Sequence, residues 1–134
     1  VVGPLLDAVA GAHDGPDRAW ARWHGDWVPW NLARSRRGLV AWDWEYSEPG
    51  APVGLDEVHG AYQQARFQHH RPVADAVTAA RRTAADPWVA DAQLVALATR
   101  HALLHQLAGE PVGDHHEVMA QAQARASTLR SGLR

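Results

Sequence analysis

"HGDWVPWNLARSRRGLVAWDW", residues 24–44, sets two acids and an amide, Asp26, Asn31 and Asp43, among tryptophans. Six of the chain's seven Trp residues fall between Trp20 and Trp44, so this is where the sequence spends its largest side chains. Trp is costly to leave in water, and Asp is costly to bury without partners. The pattern therefore points to a loop that holds polar groups in fixed directions inside an aromatic surround. From Asn31 onward the stretch reads as two short strands joined by a turn at residues 35–38. A loop followed by a hairpin brings Asn31 and Asp43, twelve positions apart, to one place. The rings are expected to exclude water and fix the backbone around them.

Working outward, residues 19–24 read as a brief strand that leads into the loop, and residues 4–12 as a short helix ending near Gly11. The Arg34, Arg36 and Arg37 group is read as a solvated hairpin tip. The stretch "SEPGAPVG", residues 47–54, is rich in Pro and Gly and reads as a connection without regular structure. Helical periodicity starts at Leu55. Leu55, Val58, Tyr62 and Ala65 mark one face of a helix reaching about His69. Pro72 opens a second helix to about Ala84. Asp86 and Pro87 form an N-cap and first-turn pair, and Gly109 followed by Pro111 stops a helix of about twenty residues. Asp114 and Glu117 match a capping box for a last helix to about Ser131. The expected fold class is mainly α with a small β-hairpin region.

At 134 residues the chain is one domain by length, large enough for a real core. Its formal charge of −2 gives no general attraction to nucleic acid or to anionic membranes. All thirteen basic residues are Arg and there is no Lys. The absence of Cys excludes disulfides, thiolate metal sites and Cys nucleophiles. No apolar run approaches membrane-spanning length and no signal pattern opens the chain; the expected location is the cytoplasm. Because the chain starts at Val1, it reads as a piece of something longer.

The order His-Gly-Asp, four residues, Asn, hairpin, Asp supplies the parts that phosphoryl transfer from ATP requires. A carboxylate accepts the hydroxyl proton and orients the nucleophile, while an amide and a second carboxylate hold Mg²⁺ on the phosphates. In this respect "HGDWVPWNLA" followed by "LVAWDWEY" resembles the catalytic core of the aminoglycoside phosphotransferase and choline kinase family, within the protein-kinase-like fold. The resemblance covers about residues 23–59, and the later helices match the family's helical lobe in outline. It implies that Asp26 is the catalytic base, that Asn31 and Asp43 are metal ligands, and that His24 fixes the loop. It also implies that Asp56, at the start of the next helix, is buried and anchors the catalytic loop's backbone. ATP and Mg²⁺ follow as co-substrate and cofactor, with a small-molecule hydroxyl compound as acceptor.

The sequence departs from the family at Val28, where protein kinases carry a Lys that touches the transferring phosphate, and at Trp30, in place of a small residue. Both substitutions are expected to narrow the loop's surroundings and to leave a positive charge to be supplied elsewhere. The family's Gly-rich loop and phosphate-binding Lys lie in an N-terminal lobe. The 134 residues are thus expected to form the C-terminal lobe alone, with the catalytic loop and metal hairpin at about 20–46 and a helical subdomain at about 55–131. Its own N-terminal lobe would be a partner; nucleic acid and membrane would not.

Other polar groups are weighed against plainer roles. Glu45 follows Asp43 closely enough to act as a second acid at the metal, because strand alternation would turn both to one face. His101 and His105 have zinc-binding spacing on a helix, but no third ligand lies nearby, so a helical packing role is preferred. The pairs His69–His70 and His115–His116 sit near helix ends and read as solvated or capping residues. Asp75, Asp91 and Glu117 read as solvated faces or caps. Asp14, Asp17 and Glu48 are acids that a cationic substrate would meet, though nothing singles them out. Two readings of different class remain beside each other, a small-molecule kinase and a catalytically silent module that kept the fold. A metal-dependent phosphohydrolase is a weaker third.

Overall fold

The computed structural model describes residues 19–109, and residues 116–118, 120, 121 and 124. The expected helix at 4–12, Asp14, Asp17, the Asp114 cap and the end of the last helix lie outside the described residues. Four short strands precede the helices: β1 (Trp20–Trp23), β2 (Leu32–Ser35), β3 (Gly38–Ala41) and β4 (Glu48–Pro52). Then follow α1 (Leu55–Gln63), α2 (Val73–Thr83) and α3 (Pro87–Ala108). The described chain is mainly helical with two small antiparallel sheets, β1–β4 and β2–β3.

The β2–β3 hairpin runs in unbroken register from Leu32 opposite Ala41 to Ser35 opposite Gly38. Its turn is closed by Ser35, whose Oγ donates to the Gly38 carbonyl at 3.0 Å and accepts from the Arg37 amide at 3.1 Å. The three arginines of the tip are exposed, as expected of a solvated turn. The other sheet corrects the reading of residues 47–54 as irregular. Trp20 pairs with Pro52 and Ala21 with Ala51, a bulge follows, and Trp23 pairs with Glu48. Pro lacks a ladder donor, which is why its presence argues for a loop. In a two-stranded ribbon each strand has an outward edge, so Pro49 and Pro52 are tolerated there.

The helical face read from the sequence is the face that packs. Leu55, Val58, Tyr62 and Ala65 are all buried, and join Val73, Ala76, Val77 and Ala80 of α2 with Val89, Ala90, Leu94 and Leu97 of α3 in one core. Each of the three helices packs on the other two. Burying side chains of this size contributes on the order of 1.5–3 kcal/mol apiece for Val and Leu. Past Gln63 the helix continues for five residues, Gln64–Gln68, in π winding, closed by the His69 amide on the Gln64 carbonyl at 3.0 Å. α3 begins as its cap pair predicts, with the Asp86 side chain accepting from the Trp88 amide at 2.9 Å. It ends at Gly109, whose φ of 68° is the left-handed conformation that glycine adopts without strain. Residues 116–118, 120, 121 and 124 are helical, and Val118 is buried. No described helix is long and apolar enough to cross a membrane.

Candidate functional site

The loop between β1 and β2 is held from three sides. From below, Asp56 in the first turn of α1 accepts the His24 amide on Oδ2 at 2.7 Å and the Gly25 amide on Oδ1 at 3.1 Å. Both amides belong to buried residues, so the carboxylate satisfies two donors that water does not reach. Asp56 itself is half-buried rather than buried, because it caps the loop at the edge of the helix bundle.

The second support is His24, 1% exposed. Its Nδ1 accepts from the Asp26 amide at 3.3 Å, which leaves Nε2 to carry the proton and donate to the Trp42 carbonyl at 2.8 Å. One imidazole therefore links the loop to the exit of the hairpin. Its ring meets Trp27 edge-on at 5.7 Å and lies 4.6 Å from Trp44, centroid to centroid.

The third support is shape. Gly25 has φ 84°, and a Cβ there would collide with the Tyr46 carbonyl oxygen and lie 2.9 Å from the Tyr46 Cβ. Gly25→Ala is expected to destabilise the fold by about 3 kcal/mol, the sum of an overpacked contact and a left-handed backbone on an L-residue. A urea titration measures it; a loss under about 1 kcal/mol would mean that the loop and Tyr46 separate freely.

On this frame the polar groups converge in part. The Asn31 amide donates through Nδ2 to the Asp26 carbonyl at 3.2 Å and to Asp26 Oδ2 at 3.0 Å. Two acceptors on one side fix which end of the amide is nitrogen, so Oδ1 faces away from Asp26 with no hydrogen bond to a described residue. The hairpin ladder extends one step past β3, with the Trp42 amide donating to the Asn31 carbonyl at 3.2 Å. That step sets Trp42 opposite Asn31 and leaves Asp43 one residue beyond the pair. Asp43 is exposed, has φ 65°, and its carboxylate makes no hydrogen bond or ion pair with a described residue. A non-glycine residue held at positive φ costs about 1–2 kcal/mol and tends to mark a functional position.

Four sequence readings are corrected. Glu45 is not in a strand: residues 42–44 are irregular and Glu45 lies exposed in a turn, so alternation does not bring it to the face of Asp43. The aromatic surround does not seal the loop. Trp23 and Trp27 are half-buried, but Trp30 is 57% exposed and Trp44 50%. Trp30 narrows nothing; it follows Pro29 in a single 3₁₀ turn that directs it outward. Finally, Asp91 is more than a solvated acid, since Arg81 Nε donates to its Oδ1 at 3.1 Å between α2 and α3.

Sequence reasoning missed two residues at Asp26, Arg100 and His59, and Gln63 behind the second. Arg100 NH1 lies 3.8 Å from Asp26 Oδ1, and His59 Nε2 lies 4.0 Å from the same oxygen. His59 is buried on α1, one turn after Asp56, and hydrogen-bonds Gln63 at 3.0 Å. The spacing of Asp56, His59 and Gln63 along one helical face was a usable signal for the last two. Nothing near Arg100 in sequence announces its role, because its partner Gly25 is 75 residues away.

Asn31 and Asp43 offer an amide oxygen and a carboxylate, hard donors of the kind Mg²⁺ takes alongside water and phosphate oxygens. The amide's orientation, with its oxygen uncommitted, fits that use. Among the described residues no three His, Cys, Asp or Glu side chains gather to hold a metal, so any ion here relies on phosphate and water for its remaining ligands. No known protein-family model, no curated protein and no solved structure matches the chain.

Proposed function

We propose that the protein is an ATP- and Mg²⁺-dependent phosphotransferase that moves the γ-phosphate to a hydroxyl of a small molecule, of the aminoglycoside or amino-alcohol kind. This chain would be the kinase-like C-terminal lobe that carries the catalytic loop. The observation that carries the reading is the bridge made by Asn31. It grips Asp26 with its amide nitrogen and leaves its oxygen uncommitted among the described residues.

In this reading Asp26 accepts the hydroxyl proton. Its carboxylate is 23% exposed, has one oxygen fixed by Asn31, and retains free lone pairs for an incoming hydroxyl. Asn31 and Asp43 would hold Mg²⁺, which when bound neutralises phosphate charge and aligns the transferring group. His24 and Asp56 fix the loop's backbone, so the base does not wander during the reaction.

The test is transfer of labelled γ-phosphate from Mg-ATP to a panel of aminoglycosides and amino alcohols by the full-length gene product. Transfer to at least one hydroxyl is expected. Nucleotide binding without transfer to any of them would favour the silent-module reading instead. Asp43→Ala is expected to weaken Mg-dependent nucleotide binding by at least about tenfold, since loss of a direct ligand should cost no less than loss of a residue behind one. Calorimetric titration with Mg-ATP reads this, and an unchanged affinity would remove Asp43 from the metal site.

A further inference from the structure

We infer that Arg100 is a positioning residue for Asp26, supplying from α3 the cation that the loop itself does not carry. The loop position in question is Val28, which is 1% exposed; its side chain lies buried, so a charged group there would have to be buried too. No Lys exists elsewhere in the chain to take over. Arg100 is built into the site instead. Its NH1 donates to the Gly25 carbonyl at 3.0 Å and sits 3.8 Å from Asp26 Oδ1. Its Cζ lies 3.8 Å above the centre of the Tyr46 ring. Tyr46 packs on Gly25 from the hairpin side, so loop, hairpin exit and α3 meet at a single stack.

The stack explains why an arginine serves here. A planar guanidinium can lie on an aromatic face and still direct N–H groups at its edge, which a lysine ammonium does not do. Tyr46 fixes the plane, Gly25 fixes one N–H, and the charge is left beside Oδ1 while Asn31 holds Oδ2. The two oxygens of Asp26 are thus restrained by different elements of the chain. A purely mechanical tie between α3 and the loop would need the Gly25 contact alone and would be indifferent to the charge of Asp26.

That indifference is what the experiment probes, and its catalytic arm rests on the phosphotransferase reading. Side-chain NMR of the arginine guanidinium groups in the full-length gene product is compared between wild type and Asp26→Asn. The Arg100 signals, displaced by the Tyr46 ring, are expected to move and their N–H exchange to accelerate when the carboxylate becomes an amide. Arg100 signals that ignore Asp26→Asn would overturn the inference whatever the activity. In the transfer assay, Arg100→Ala is expected to lower kcat by about 10- to 100-fold with KM for ATP within about threefold, as for a misplaced base. Arg100→Lys or added guanidinium should recover part of the loss. Wild-type kcat in Arg100→Ala would overturn the inference. A protein that transfers no phosphate, while its Arg100 signals still follow Asp26→Asn, would refute the phosphotransferase reading and support the positioning contact.

Discussion

Asp26→Ala in the full-length gene product is expected to lower turnover by about 10² to 10⁴, the range lost with a positioned general base, while Mg-ATP binds as before. The expectation follows from where the carboxylate stands. Asp26 is held by Asn31 on one oxygen and flanked by Arg100 and His59 on the other, so its role is set by direction, and no described contact makes it a support of the core. Asp26→Asn is the companion variant, because it keeps the shape and removes the basicity. Both should lose turnover together, with KM for ATP little changed in either. Turnover that survives both substitutions would mean that no proton passes through Asp26.

The largest effect on stability is expected at Asp56. Asp56→Ala leaves the buried His24 and Gly25 amides without an acceptor, at about 3 kcal/mol for two orphaned donors. Asp56→Asn keeps one acceptor oxygen and should fall between wild type and the Ala variant. Urea melts of the three proteins measure the series. An Asp56→Ala variant within about 0.5 kcal/mol of wild type would mean that the loop finds other partners, since changes of that size are what neutral surface positions give. The two predictions separate chemistry from scaffold: one variant should be stable and slow, the other unstable.

Much of this arrangement was legible in the sequence, and the reasons differ by element. The helices declared themselves through period and caps: Leu55, Val58, Tyr62 and Ala65 bury together, and Asp86 caps α3. The hairpin followed from two short strand-like runs around a turn at residues 35–38. β4 was not legible, because Pro49, Gly50 and Pro52 are turn residues everywhere except on the open edge of a ribbon. Of the three candidate catalytic and metal residues, the contact the structure shows is the local one, between Asn31 and Asp26. Asp26, Asn31 and Asp43 lie within eighteen residues (26 to 43 inclusive) and are linked by one hairpin. Arg100 was not legible, since it reaches the loop only because α3 packs across α1, a matter of tertiary geometry that no local pattern encodes. The exposure of Trp30 and Trp44 was also hidden. Hydrophobicity predicts burial on average, while the 3₁₀ turn at Pro29–Asn31 decides which way a particular ring points.

The metal reading depends on Asn31 Oδ1 and the Asp43 carboxylate meeting one ion. Crystals of the full-length gene product grown with Mn²⁺ and a non-hydrolysable ATP analogue test this directly, because anomalous scattering locates the manganese without reference to the phasing model. The account predicts a peak bonded to Asn31 Oδ1 and to an Asp43 oxygen, each at about 2.1–2.2 Å, with the nucleotide's phosphates completing the shell. A nucleotide-bound manganese that touches neither residue, with the two side chains more than about 8 Å apart, would contradict it.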